Sequence, residues 1–327
     1  MTRVAVVFLG GTISSTTDSR AGGNVPTLSG AEILATVPGL DTLAELDPID
    51  LGRTPASHFS LARLLEIAGV LRDALADPAV GGAVVVQGTD AIEETAFLWD
   101  LVLGDAKPVA VTGAMRAASD AGNDGPANLR DAVVAAASPT LGGSGVSVVM
   151  AGEVHPADDV AKTHATSLTT FRSPNAGPLA TVDGGVVHLL RRRAGRRHVE
   201  TMAAAEPVRL VTAVVGDDGA LVDAATNGGA AGIVVAATGA GNTSPALLEA
   251  GVRAIAAGLP VVLATRTSAG RATTAYAFPG GGATWVRAGA LLAGTLSGPK
   301  ARIALALGLG AGLDRGALAE LLDPSWG

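Results

Sequence analysis

Short runs of β-branched and other apolar residues alternate with longer segments of helical periodicity along the chain, and this alternation is what most constrains its fold. Successive strands joined through helices are parallel, so the pattern predicts an α/β protein with a mostly parallel sheet flanked by helices. In the first part of the chain we expect strands at 3–9, 46–51, 82–87, 108–112 and 146–150. Helices are expected between them at 29–36, 60–76, 91–103 and 125–137, the third opened by a capping box from Asp90 to Glu93.

The alternation is interrupted once, at the basic run from Arg191 to Arg197, and then resumes with strands at 208–214, 231–236 and 260–265. We therefore predict a large N-terminal α/β domain over 1–190, a linker over 191–207 and a smaller C-terminal α/β domain over 208–327. A basic run can bind nucleic acid, but the net charge of the chain is −7. We interpret this run as the solvated edge of a linker.

The amino-acid composition excludes several classes of protein and of functional site. With 48% hydrophobic and 16% charged residues the chain is not a disordered one. Its acidic balance and low aromatic content, 3%, argue against nucleic acid as a partner. The absence of cysteine excludes disulfides, thiolate metal sites and a cysteine nucleophile. Since no apolar stretch reaches the ~20 residues of a membrane helix and no secretion leader is recognisable, we expect a cytoplasmic protein without a membrane partner.

Glycine and threonine recur where predicted strands end, which is where open α/β sheets bind ligands. The loops in question are Gly10-Gly11-Thr12, Ser57-His58, Gln87-Gly88-Thr89-Asp90, Thr112-Gly113-Ala114 and, in the second domain, Thr238 to Ser244. Glycine lets backbone N–H groups approach a ligand closely, and a threonine hydroxyl can act as a nucleophile or a hydrogen-bond donor. Neither a phosphate-binding loop nor a dinucleotide fingerprint is present in these loops. Taken alone, Thr12 and Thr89 are equally typical of turns.

A threonine nucleophile needs a base. No histidine stands in a pattern typical of a His–carboxylate pair, so lysine is the alternative, and the chain has only Lys107, Lys162 and Lys300. Lys162 lies in a polar stretch after an apolar strand, where it can equally be an ordinary surface lysine. Near it, His155 and Asp158-Asp159 lack a set of metal-ligand partners, so we expect no metal and no cofactor.

In their order along the chain these loops resemble the bacterial-type L-asparaginase family of threonine amidohydrolases. The resemblance rests on collinear motifs that span nearly the whole chain: 8–14, 86–96, 112–116, 124–129, 159–162, 239–242, 294–296 and 300–302. Each fragment is weak by itself, and the ordered set is specific.

By this resemblance Thr12 is the nucleophile that attacks the side-chain amide of asparagine and forms an acyl-enzyme. Thr89, Asp90 and Lys162 form a second polar triad, with Lys162 as proton acceptor or relay. The resemblance also implies a substrate site built from Gly11, Ser57, His58, Gly88, Thr89, Asp90, Ala114 and Asn242. Ser57 then holds the α-carboxylate and Asp90 the α-ammonium, while Asn242 reaches the site of a neighbouring subunit in a homotetramer assembled as a dimer of dimers.

The sequence departs from the family pattern at several of these positions. The family tyrosine that follows the nucleophile is replaced by Val25, and Ser15 or Thr16 are the candidates to take over its hydrogen bond. His58 stands where glutamine or glutamate is usual, and a neutral imidazole there can still accept a hydrogen bond from an ammonium group, whereas a protonated one would repel it. No acidic residue lies between Glu249 and Asp314, so the glutamate that some members contribute from the second domain is absent.

Three functions remain open from the sequence. The first is an L-asparaginase. The second is a glutaminase-asparaginase or a related amidohydrolase. The third is a binding protein on the same fold that lost turnover together with the tyrosine, a function for which Lys162 is not needed. Between Thr12 and Asn24, the length and glycine content of the loop favour a lid over the site.

Overall fold

The computed structural model describes residues 1–20, 22–104 and 106–323. The chain forms two compact units, which divide between Arg196 and Arg197, within the stretch predicted as a linker.

The first unit carries twelve strands and four α-helices within its described residues. Its strands are β1 (Arg3–Phe8), β2 (Ser15–Asp18), β3 (Gly23–Pro26), β4 (Glu45–Asp50), β5 (Val80–Val86), β6 (Val109–Thr112), β7 (Val146–Met150), β8 (Glu153–Pro156), β9 (Ala161–Lys162), β10 (Phe171–Arg172), β11 (Ala180–Asp183) and β12 (Val186–Leu189). Its helices are α1 (Gly30–Ala35), α2 (Leu61–Ala76), α3 (Ile92–Val102) and α4 (Gly125–Ala137).

Eight of these strands form one sheet in the order β12-β11-β8-β7-β6-β5-β1-β4. The five from β7 to β4 are parallel, and β8, β11 and β12 extend the sheet in antiparallel fashion. Strands β1 and β5 lie inside the sheet, with a neighbour on each side, and their apolar side chains are buried. Helices cover both faces of such a sheet, which is why its central strands appear as continuous apolar runs in the sequence. The expected α/β class with a mostly parallel sheet is confirmed.

The second unit contains a four-stranded parallel sheet in the order β13-β14-β15-β16. Its elements are β13 (Val208–Thr212), α5 (Ala220–Asn227), β14 (Gly232–Ala237), α6 (Pro245–Ala256), β15 (Val261–Thr265), α7 (Gly282–Ala288), β16 (Leu291–Ser297), α8 (Gly298–Gly310) and α9 (Arg315–Leu322). A core of its own, centred on Ile233, Leu263 and Trp285, makes it a second domain. Among the described residues, no helix of either unit has the length and apolar character needed to cross a bilayer.

The interpretation of the basic run as a solvated edge is wrong for three of its arginines, Arg193, Arg196 and Arg197. Arg193 and Arg196 are mostly buried, and both form ion pairs with Asp100 of α3, whose side chain is 0% exposed. Arg196 also donates to the carbonyls of Asp100 and Leu103, at the end of α3. Burial alone would lower the pKa of Arg193, but the charges of Asp100 and Asp158 outweigh it and raise that pKa. Arg193 and Arg196 are therefore built into the first unit, whereas Arg197 belongs to the second unit, where it is buried and donates to the Leu322 carbonyl.

Replacing Asp100 tests this buried network. In Asp100→Ala, Arg193 and Arg196 lose their shared carboxylate, and the N–H of Val146 loses its acceptor. Because an unpaired buried charge costs about 3–5 kcal/mol, we expect a loss of that size in the free energy of unfolding, measured by denaturant titration. The control is Glu66→Ala, which removes a carboxylate from an exposed ion pair with Arg63 on α2 and should leave the midpoint nearly unchanged. Equal effects of the two substitutions would contradict the network's role.

Candidate active site

The site is formed where the strand order of the large sheet reverses. From β1 the chain first moves to β4 on one side and then to β5 on the other, so the loops after β1 and β5 leave the sheet next to each other. Such a switch point, at the carboxyl ends of the strands, is the usual ligand-binding crevice of an open α/β sheet. The first loop carries Thr12 and the second carries Thr89.

Two glycines allow these loops to touch. Gly11 has φ 98° and ψ −171°, a conformation open only to glycine. A Cβ atom added at Gly11 would lie 2.2 Å from the backbone nitrogen of Gly88 and 2.4 Å from its Cα. The two backbones are thus in contact, which places the turn that starts at Thr12 beside the turn that starts at Thr89.

The loop after β4 joins the same group. A Cβ atom at Gly10 would lie 2.7 Å from the Cα of Arg53, and one at Gly88 would lie 3.1 Å from the Cβ of Ala56. The 3-10 turn Ala56–His58 therefore sits against the glycines of the other two loops. Ser57 and His58, the expected substrate contacts, are both exposed in this turn.

The loop after β6 is shaped by two side chains of α4. The Asp124 carboxylate accepts hydrogen bonds from the N–H groups of Met115 and Arg116. Asn128 donates to the Gly113 carbonyl at 3.0 Å and accepts from the Ala151 N–H. Between these contacts Ala114 is fully buried. Sequence reasoning gave Asp124 and Asn128 no role, although both lie in one of the motifs that carry the family resemblance.

Lys162 completes the group of polar side chains. Its Nζ donates to the Thr89 hydroxyl at 3.0 Å and to the Asp90 carboxylate at 2.8 Å. The Lys162 side chain is 15% exposed and that of Asp90 is 74% exposed. The structure therefore joins the three expected members of the triad, with the ammonium semi-buried and the carboxylate open to solvent.

The lysine is carried by a small ribbon, formed by β9 and β10, that sequence reasoning did not predict. Strands β9 and β10 pair in antiparallel fashion, with Lys162 opposite Phe171. At the base of the ribbon, Asp159 accepts hydrogen bonds from the N–H groups of Asn175 and Ala176. Ribbons this short have no apolar periodicity, so the sequence offers no local signal for them.

A buried histidine also supports the ribbon. His155 Nδ1 lies 3.0 Å from the Ser173 hydroxyl, and its Nε2 lies 3.4 Å from the Glu153 carboxylate. The Nε2 atom has no hydrogen-bond partner among the described residues, so this proximity to Glu153 is not a hydrogen-bonded His–carboxylate pair. Burial and the charge of Arg172 lower the pKa of His155 to about 4, so the ring is neutral near pH 7.

The predicted capping box at the start of α3 is wrong. The N-cap residue is Ala91, without a side-chain cap. Asp90 instead pairs with Lys162, and the Glu93 carboxylate accepts from the Lys162 backbone N–H at 2.7 Å. Both acidic side chains are thus directed to the lysine, one at its ammonium and one at its backbone.

The loop after Thr12 folds as a hairpin of β2 and β3. Neither candidate for the missing tyrosine is hydrogen-bonded to Thr12: Ser15 Oγ donates to the Gly11 carbonyl, and Thr16 Oγ1 lies 3.0 Å from Thr27 Oγ1. The expectation that Ser15 or Thr16 replaces the phenol in bonding to Thr12 is therefore wrong. Val25 pairs with Thr16 across the hairpin.

Asn242 belongs to the second unit. It closes a tight loop after β14, in which its carbonyl accepts from the Thr238 N–H at 2.9 Å. Its Oδ1 atom is buried without a hydrogen-bond partner among the described residues. The predicted cap that follows is confirmed, because the Ser244 hydroxyl accepts from the Leu247 N–H at the start of α6.

Comparison with known families decides which class of protein this constellation belongs to. Residues 3–195 match the family model "Asparaginase, N-terminal", and residues 207–322 match "Glutaminase/Asparaginase C-terminal domain". The chain belongs to the asparaginase family. This confirms the family and the hydrolase class expected from the sequence. No group of three or more potential metal ligands is found in the part of the chain that the structure describes.

Individual asparaginases are similar to this chain along most of their length. A "Probable L-asparaginase" of Deinococcus radiodurans is 36% identical over 322 residues, which are 96% of this chain and 94% of the relative. An "L-asparaginase" of Bacillus licheniformis is 31% identical over 305 residues, 93% of this chain and 94% of the relative. Among solved structures, a "Probable Cytoplasmic L-asparaginase" from Campylobacter jejuni superimposes with a TM-score of 0.87 at 26% identity, covering 98% and 99% of the two chains.

The contact between Gly11 and Gly88 yields a prediction. Gly11→Ala adds a methyl group where there is no room, whereas Gly52→Ala adds one at φ 106° with nothing within 4 Å. Both carry the strain of a positive φ, so we expect Gly11→Ala to lose about 1–3 kcal/mol more unfolding free energy than Gly52→Ala. Gly11→Ala should also lose amide hydrolysis, which Gly52→Ala should retain. Equal stability and activity of the two variants would contradict the close approach.

Proposed function

We propose that this protein is an L-asparagine amidohydrolase that converts L-asparagine and water to L-aspartate and ammonia. The observation that carries the proposal is the contact of the Lys162 ammonium with Thr89 and Asp90, beside the turn that starts at Thr12. A hydroxyl next to a lysine and a carboxylate is the arrangement that an amide-cleaving threonine enzyme needs. The relatives named L-asparaginase support the choice of asparagine as substrate.

In the first half-reaction Thr12 Oγ1 attacks the side-chain amide carbon. The bond from Oγ1 to carbon forms, the carbonyl oxygen becomes an oxyanion, and Thr12 gives up its proton through the Lys162 and Thr89 side chains. Collapse of the oxyanion breaks the bond from carbon to nitrogen, and the leaving nitrogen takes the proton to depart as ammonia. The N–H of Thr89, at the start of a 3-10 turn where it has no partner within the turn, stabilises the oxyanion.

In the second half-reaction water replaces ammonia. It attacks the aspartyl ester of Thr12 while the same group of side chains accepts its proton, and cleavage of the ester releases L-aspartate and restores the Thr12 hydroxyl. Lys162 acts as acceptor and donor in turn.

The α-carboxylate and α-ammonium of the substrate bind at the rim of the crevice. Ser57 donates to the carboxylate, while Asp90 and the neutral imidazole of His58 accept from the ammonium. Gly11, Gly88 and Ala114 form the walls beside the side-chain amide.

We propose further that the active protein is a cytoplasmic homotetramer, a dimer of dimers in which Asn242 of one chain completes the site of another. The orphaned Asn242 Oδ1 supports a contact beyond its own loop. Exposed apolar side chains of the second unit, among them Val215 and Leu221, support burial between copies. The name of the Campylobacter jejuni protein supports the location, and mass measurement in solution together with cell fractionation tests both statements.

Thr12→Ala is the direct test of the proposal. We expect purified wild-type protein to release ammonia from L-asparagine, and loss of the nucleophile to reduce kcat by about four orders of magnitude or more. Thr42→Ala, at an exposed threonine in the 3-10 turn Leu40–Thr42 and outside the site loops, is the matched control and should keep full activity. Parallel assays with L-glutamine separate an asparaginase from a glutaminase-asparaginase. Binding of L-asparagine without hydrolysis by the wild type would favour the binding protein, and undiminished hydrolysis by Thr12→Ala would refute the nucleophile.

A further inference from the structure

The edge of β9 that faces away from β10 determines where Lys162 sits. In an antiparallel pair, alternate residues direct their N–H groups to the partner strand and away from it. Thr163 bonds to the Thr170 carbonyl across the ribbon, so the N–H of Lys162 points outward. In the part of the chain that the structure describes, no other strand pairs with this edge of β9.

Glu93 occupies that outward position. Its carboxylate accepts from the Lys162 N–H at 2.7 Å, a charge-assisted bond between residues 69 positions apart in the chain. Glu93 lies in the first turn of α3, where the helix dipole favours a negative charge. The acceptor is therefore fixed by a helix and not by a loop.

The same face of α3 holds the ribbon at a second point. Asp100 follows Glu93 by seven residues, two helical turns, and thus projects from the same side of the helix. Arg193 bridges Asp100 to Asp158 with distances of 3.0 and 2.9 Å, and Asp158 lies only three positions before the first residue of β9. Helix α3 thereby holds the segment that carries Lys162 both at the lysine and just before it.

We propose that Glu93 is a positioning residue for Lys162: by holding the lysine's backbone N–H, it fixes the distance from Lys162 Nζ to Thr89 and Asp90. This inference rests on the proposed function. The side chain of a lysine is long and flexible, so its ammonium keeps one position only if the backbone at its base is held. Glu93 does not touch the reacting atoms, and its effect passes through Lys162 alone.

The test uses two substitutions at Glu93. Glu93→Ala removes the acceptor, and we expect kcat for L-asparagine to fall by about 10- to 100-fold while KM moves much less, because a misplaced catalytic group costs rate. Glu93→Gln keeps an oxygen that can accept from the N–H, and should restore kcat to within a few-fold of the wild type. Glu66→Ala, which removes an exposed carboxylate from α2, is the control and should match the wild type.

A second readout distinguishes positioning from general loss of structure. Because the chain has only three lysines, trace acetylation with acetic anhydride followed by peptide mass spectrometry reports on each separately. In Glu93→Ala we expect the pH profile of acetylation to change at Lys162 and to stay constant at Lys107, which is held by the Leu75 and Asp77 carbonyls. An active wild type, with Glu93→Ala unchanged in kcat and in Lys162 reactivity, would overturn the inference. So would equal changes at Lys107 and Lys162. An inactive wild type would instead refute the proposed function.

Discussion

The contact between Gly11 and Gly88 is the constraint on which the rest of the site depends. At a switch point the connections from two neighbouring parallel strands run to opposite sides of the sheet. The loops that begin at β1 and β5 can touch only if no side chain lies between them. Because a Cβ atom at Gly11 would lie 2.2 Å from the Gly88 nitrogen, any other residue there separates the loops. The glycine contact thus brings the Thr12 turn beside the Thr89 turn, and the hydroxyl chemistry follows from that proximity.

The second requirement is a base that keeps its position, and the fold meets it with long-range polar contacts. Lys162 lies on a ribbon whose paired strands are two residues long each, far too little to be stable alone. It is held by Glu93 and, through Arg193, by Asp100, both on α3. Thr89 and Asp90 lie in the turn that leads into α3, and Glu93 lies in the first turn of that helix. The side chains that accept hydrogen bonds from the ammonium and the backbone N–H of Lys162 are thus all placed by the start of α3. The position of Lys162 therefore depends on one helix and on the ion pairs that link it to Arg193 and Asp158.

Much of the fold and the identity of the central site residues could be predicted from the sequence, because their signals are local. The apolar run at 3–9 and the helix at 125–137, opened by Pro126, appear in the structure with bounds that agree within a residue. What could not be predicted depends on distant partners. Arg193 can be buried because it pairs with Asp100, which lies 93 positions earlier in the chain. Glu93 has the sequence pattern of a helix cap, and only the fold brings Lys162 close enough to bond to it. The ribbon itself, β16 and α7 also lacked a local signal, since their formation rests on tertiary pairing.

The proposed reaction requires that Thr12, and not Thr89, forms the covalent intermediate, and that Lys162 moves the proton. Rapid acid quenching of the protein during turnover of L-asparagine, followed by peptide mapping, tests it most directly. We expect an aspartyl ester on the peptide that contains Thr12, since the Thr89 hydroxyl is occupied by Lys162 at 3.0 Å. An ester on the peptide that contains Thr89 would contradict it.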